Sequence, residues 1–201
     1  MRMTTIKSWK IGLFLSLGLA ITGCSQNADE KEQDITSTEG SETYQEEAIL
    51  HNAEVFFGKG AKGVGQALEK IFSKYGEPNA YMTGKEAGAG FVIGVRYGDG
   101  QLFHKIEGRQ DIHWTGPSLG LDVGADAAKV FTLVYNLYDS EEMFSRFAAI
   151  EGQFFLVGGA GVSVHRKDDI IVAQVRVGVG LRTQLSVGYL KYSKERSLLP
   201  F

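Results

Sequence analysis

Beyond Asn79 the apolar residues recur at every second position, and a period of two commits a chain to strands rather than helices. Phe91, Ile93, Val95 and Tyr97 alternate with Val92, Gly94 and Arg96. Phe131, Leu133, Tyr135 and Leu137 alternate with Thr132, Val134 and Asn136. From Val175 to Val187 the odd positions read Val, Val, Val, Leu, Thr, Leu, Val, and the even positions Arg176 to Ser186 read Arg, Gly, Gly, Arg, Gln, Ser. That run would span about 40 Å at about 3.3 Å per residue, too long for one straight strand in a small domain. A bend or bulge is expected at Gly178 or Gly180, with the odd parity facing the core throughout. A hairpin precedes it: Phe154 to Val164, a polar turn over residues 165–169, then Ile170 to Val177. Hairpins in series, with 26 glycines against three prolines, point to an antiparallel sheet curled into a small barrel or sandwich.

The period before Asn79 is different. Ile49, Ala53, Phe56 and Phe57 make one helical stripe. Val64, Ala67, Leu68, Ile71, Phe72 and Tyr75 make a second, closed by Gly76 and Pro78. A short internal helix is expected after Asp139, a plausible N-cap with Glu142 three residues on, with Met143, Phe144, Phe147 and Ile150 on one face. The fold class is therefore mainly β (α+β): N-terminal helices, then the curled antiparallel sheet, with one short internal helix.

The N-terminus addresses location. Arg2, Lys7 and Lys10 precede an apolar run of ten residues, Ile11 to Ala20, too short to span a bilayer as a helix. A basic start, a short apolar run and small residues describe a secretory signal peptide. Ile21-Thr22-Gly23-Cys24 has the form of a bacterial lipobox, which makes Cys24, the only cysteine, a site of lipid attachment. Nothing nearby would activate it as a catalytic thiol, and no second cysteine exists to form an intramolecular disulfide. Ser25 to Tyr44 holds six acids, one lysine and one large aliphatic residue, too little apolar surface to fold. The division expected is a signal peptide over 1–23, a lipidated cysteine and disordered acidic tether over 24–44, and a single barrel-like domain over 45–201. Ser25 directly after the cysteine favours the periplasmic face of the outer membrane.

Charge narrows the partners. Residues 45–201 carry 17 bases and 18 acids, so the domain offers no electrostatic footprint for nucleic acid and no basic belt for a membrane surface. The membrane partnership is expected through the N-terminal lipid instead.

Few motifs suggest chemistry. Residues 58–63 (GKGAKG) match G-x-G-x-x-G, but a helix precedes them and no βαβ unit comes after, so they read as a helix-breaking loop. Residues 116–120 (GPSLG) match the G-x-S-x-G nucleophile elbow, with His113, His165, Asp122 and Asp126 in the vicinity. An elbow needs a strand, a tight turn and a helix. The residues after Ser118 alternate like a strand, so the better reading is a turn at Pro117 feeding a strand. The four histidines show no metal spacing and read as solvated or hydrogen-bonded, although His104 and His113 could meet across a hairpin. No cofactor is implied. Arg176 and Arg182 lie either on a solvated outer face or inside the barrel, where they would need acidic partners or an anionic ligand.

Four blocks carry a family resemblance: "GEPNAYMTGKEAGAGFVIGVRYGDGQL", "WTGPSLGLDVGADAAKVFTLVYNL", "EGQFFLVGGAGVSV" and "VRVGVGLRTQLSVGYLKY". In order over 45–201, they resemble the EipA family of envelope-integrity proteins. A more distant likeness is to the SYLF lipid-binding domain. The EipA resemblance implies a periplasmic, β-barrel-like domain without catalysis. It also implies release by an ordinary signal peptide, from which Cys24 and the tether depart. The function expected is a tethered, non-enzymatic lipoprotein supporting envelope integrity by binding a lipid or another envelope component. The alternatives are a scaffold with a filled barrel and, lower in rank, a hydrolase acting through Ser118. Candidate ligand-binding residues are Arg96, Trp114, Ser118, Asp122, Arg176 and Arg182.

Overall fold

In the computed structural model, residues 41–58, 62–178 and 188–197 are described, with backbone alone at 62, 89–93 and 118–126. Two helices come first, α1 (Glu46–Phe57) and α2 (Lys62–Tyr75). Six strands are described after them: β1 (Ala80–His104), β2 (Gly108–Tyr135), β3 (Arg146–Val157), β4 (Ala160–Lys167), β5 (Ile170–Gly178) and β6 (Tyr189–Ser193). Their pairings are antiparallel, in the order β1-β2-β5-β4-β3-β6, and β6 pairs back onto β2 to close a barrel. The two long strands pair along their lengths, with a register shift between Gly90 and Val92. Each supplies two staves, which makes eight among the described residues. The sequence allowed a barrel or a sandwich; closure through β6 makes it a barrel.

Two cores result. One lies between the helices and the outer face of β2, β4 and β5, where Ile49, Ala53, Leu68 and Ile71 meet Phe131, Leu133, Val162, Val164 and Val175. The other fills part of the barrel interior with Met82, Leu102, Ile112, Trp114, Val134, Phe147, Val172 and Leu190. Strands between two cores are buried on both faces, which is why Val130 to Tyr135 is buried at every residue.

The helical stripes form the helices expected: α1 stops at Phe57 and α2 has begun by Lys62, so Lys62 and Gly63 belong to the helix and not to the loop expected over 58–63. Several local expectations change. The stretch from Phe154 to Val164 is not one strand, because Gly158 and Gly159, at φ 55° and 91°, turn the chain between β3 and β4. The polar turn shrinks to Asp168 and Asp169, with Lys167 paired to Ile170, so His165 lies within β4. The internal helix is one 3₁₀ turn, Ser140–Met143, capped by Asp139, whose carboxylate accepts from Glu141 N at 2.8 Å. Phe147 and Ile150 then belong to β3, whose pairing to β4 and β6 overrides the helical spacing. No turn occurs at Pro117: β2 runs through Gly116, Pro117 and Ser118, opposite Arg96, Val95 and Gly94. A proline fits a strand where one edge lacks a partner, and the pairing of β2 to β6 ends at Thr115. β5 is described as far as Gly178; the remainder of the run to Val187 lies outside the described residues.

Candidate functional site

Strand alternation places Glu86 and Arg96 of β1, Trp114 of β2, Ser163 and His165 of β4, Gln174 and Arg176 of β5, and Tyr192 of β6 inside the barrel. All eight are at most 4% exposed. Glu86 is the hub. Its Oε1 lies 2.9 Å from Arg176 Nη2 and 3.8 Å from Arg96 Nη1, and its Oε2 accepts from Trp114 Nε1 at 2.8 Å. The indole reaches it because Gly84 and Gly98 carry no side chain: a Cβ on Gly98 would stand 2.0 Å from Trp114 Cε2.

Burial and this contact set fix the electrostatics. Burial alone would raise the Glu86 carboxyl, but Arg176, Arg96 and the Trp114 donor outweigh it and hold it below the usual carboxylate range. Burial is also the main force lowering Arg96, to about 10; Arg176 adds to it and Glu86 opposes it. Burial, then Arg96 and Arg176, pushes His165 down to about 3, so its imidazole is neutral at pH 7. Burial raises the Tyr192 phenol. Neither ring nitrogen of His165, neither amide atom of Gln174, nor the hydroxyls of Ser163 and Tyr192 has a hydrogen-bond partner among the described residues. The interior is thus apolar in one part and polar in another.

A cleft of about 690 Å³ opens beside this cluster. The two arms of β1 touch where a Cβ on Gly100 would stand 2.1 Å from Thr83 O. Next to that contact, residues 85–87 and 97–99 line the cleft, with Trp114, Ala127, Ala128 and Val177. Glu86 and Trp114 belong to both the interior cluster and the cleft.

Of the six candidate ligand-binding residues, the structure gathers Arg96, Trp114 and Arg176 around one carboxylate. Arg176 takes the interior alternative, with the acidic partner that alternative required. Ser118 and Asp122 lie in β2, where only the backbone is described. Arg182 and Cys24 lie outside the described residues. The elbow reading of Ser118 fails on backbone grounds, since a continuous strand replaces the required turn and helix. Sequence reasoning missed Glu86. Its signal was an acid in phase with Ala80 and Met82, two residues of the interior core.

The histidines differ from one another. His104 is buried: Nδ1 accepts from Glu107 N at 3.1 Å and Nε2 donates to Leu137 O at 2.7 Å. It does not meet His113, which stands opposite Asp99. His165 is neither solvated nor hydrogen-bonded to the described residues, contrary to expectation, because β4 turns it into the barrel.

A small closed antiparallel barrel, clad on one side by helices, with an ion cluster inside and an apolar cleft beside it, defines a β-barrel-like protein with a ligand-sized recess. The chain belongs to the envelope integrity protein A (EipA) family, whose model matches residues 42–201. It is similar to a β-barrel-like, uncharacterised protein of Brucella abortus whose crystal structure is known. The identity is 36% and the TM-score 0.72, over 80% of this chain and all of that one. No functionally curated protein matches. Neither comparison names a catalytic family.

Proposed function

We propose that this protein is a membrane-tethered, non-catalytic envelope protein that binds a lipid or another apolar envelope component. It is held by a lipid on Cys24 at the periplasmic face of the outer membrane. The observation that carries the binding reading is the cleft beside Trp114. About 690 Å³ is within the range of small-molecule sites, and aromatic and aliphatic side chains supply much of its wall. Family membership supports the envelope role. The lipobox and acidic tether support the anchor.

Native mass spectrometry of the protein purified from cell envelopes tests it. The expected result is a population carrying an added lipid mass that collisional activation removes, beyond the acyl mass on Cys24. A spectrum of acylated protein alone would favour the second reading, an interaction protein. The interior apolar core supports that alternative, since eight-stranded barrels can be filled by their own side chains.

A further inference from the structure

The cleft has a charged edge. Lys85 and Lys129 are direct cross-strand partners in the β1–β2 ladder, and both line the cleft. Like charges placed opposite each other destabilise a sheet, so the pair has a local cost. Lys129 Nζ donates to Phe56 O at 2.9 Å and lies 5.4 Å from the Phe56 ring centroid, contacts that leave its charge uncompensated. Lys85 has no ion pair or hydrogen bond among the described residues. Two acids lining the cleft are engaged elsewhere, Glu86 with Arg176 and Arg96, and Asp99 with Arg196 at 3.4 Å. Two ammonium groups therefore border a wall built from Ala87, Ala127, Ala128, Val177 and Trp114.

We propose that the cleft binds an anionic amphiphile, its carboxylate or phosphate at Lys85 and Lys129 and its alkyl chain against the aliphatic wall, reaching the indole of Trp114. This rests on the binding reading above and adds the sign of the ligand's charge. A neutral lipid would use the wall and leave the lysine pair unneutralised. A cationic one would be repelled.

Fluorescence quenching in the full chain tests the inference. Trp9 and Trp114 are the only tryptophans; Trp9 belongs to the signal peptide expected over 1–23, so the processed protein has Trp114 as its sole emitter, and W9F secures the same for any unprocessed chain. The probes are 11-bromoundecanoate, the matching alcohol 11-bromoundecanol, and vesicles of phosphatidylglycerol with brominated acyl chains. The expected result is saturable quenching by the carboxylate, several-fold tighter than by the alcohol. K85Q/K129Q should weaken the carboxylate about three- to tenfold, as expected for two exposed charge contacts, and leave the alcohol unchanged. Thermal melting should show the variant as stable as the parent or more so, since a repulsion is removed. Should the double variant fail to fold, each single variant carries the same expectation at smaller size. Quenching by vesicles at lower lipid concentration than by the free carboxylate identifies a phospholipid as the source; the reverse identifies a free acid. Equal binding of carboxylate and alcohol, indifferent to the lysines, overturns the anionic inference while keeping the cleft as an apolar site. No quenching by any probe overturns both.

Discussion

At the scale of the residue, His165 carries the sharpest consequence. It is fully buried, its nitrogens contact no donor or acceptor among the described residues, and its folded pKa is about 3 against an ordinary 6.5. Between those values the unfolded chain binds a proton that the folded chain refuses. Stability tied to His165 is thus complete above about pH 6.5 and falls as pH drops toward 3. H165L should be as stable as the parent or more stable at pH 7, because removing the ring orphans no partner. Below pH 6.5 the variant should gain on the parent by up to about 1.4 kcal/mol per pH unit. Urea midpoints at pH 7, 6, 5 and 4 read this out, and parallel pH profiles would count against it. Glu86 acts in the same direction. Its folded pKa is depressed, so its stabilisation is present above the unfolded carboxylate value and is lost as pH falls through the folded one. Removing the carboxylate as E86A should cost about 3–5 kcal/mol, since it strips a buried ion cluster of its acid; chemical denaturation at pH 7 measures this.

At the scale of the element, α2 depends on a close approach. A Cβ on Gly63 would stand 2.3 Å from Val157 O and 2.5 Å from Gly158 O, so the helix start rests directly on the backbone of the β3–β4 turn. Gly65, two residues further along the same helix, has nothing within 4 Å. G65A should stabilise by about 0.5–1 kcal/mol through helix propensity. G63A should destabilise by about 1–3 kcal/mol, because backbone cannot yield as a flexible side chain can. Denaturation midpoints displaced in opposite directions confirm the contact; equal displacements would refute it. The elements also show where alternation misleads. On β5 the odd residues Val175 and Val177 pack in or against the core under the helices. The even residues Gln174 and Arg176 are also buried, inside the barrel. On β1, Arg96 is 1% exposed while Tyr97 is 36% exposed, the reverse of what apolar-in and polar-out would give. Alternation shows that two faces differ. It does not show which face is inside when part of the interior is polar and the outer face is roofed by helices.

At the scale of the molecule, the barrel and the proposed lipid anchor answer separate questions, and the proposed anchor can be tested without disturbing the fold. C24S should shift the protein from the detergent-requiring membrane fraction to a soluble or unprocessed form. Stable anchoring would need two acyl chains or more, since one of modest length binds only marginally. Fractionation of envelopes from cells expressing each form decides it, and unchanged partitioning of C24S would remove the lipid anchor from the reading. What the sequence determined by itself is what depends on neighbours along the chain: the two helical stripes, the strand period, the Asp139 cap and a family resemblance that the EipA model match bears out. Tertiary structure decided what depends on residues distant in sequence. Pairing of β6 onto β2 chose barrel over sandwich. Pairing also split the expected strand at Gly158 and Gly159, and carried β2 straight through Pro117. Closure brought Glu86, Arg96, Trp114 and Arg176, spread over 91 positions, to one carboxylate. Ladder register opposed Lys85 to Lys129 across 44 positions. The reason is physical: propensity and period are local, whereas the partner of a buried charge is chosen by the register and closure of the sheet.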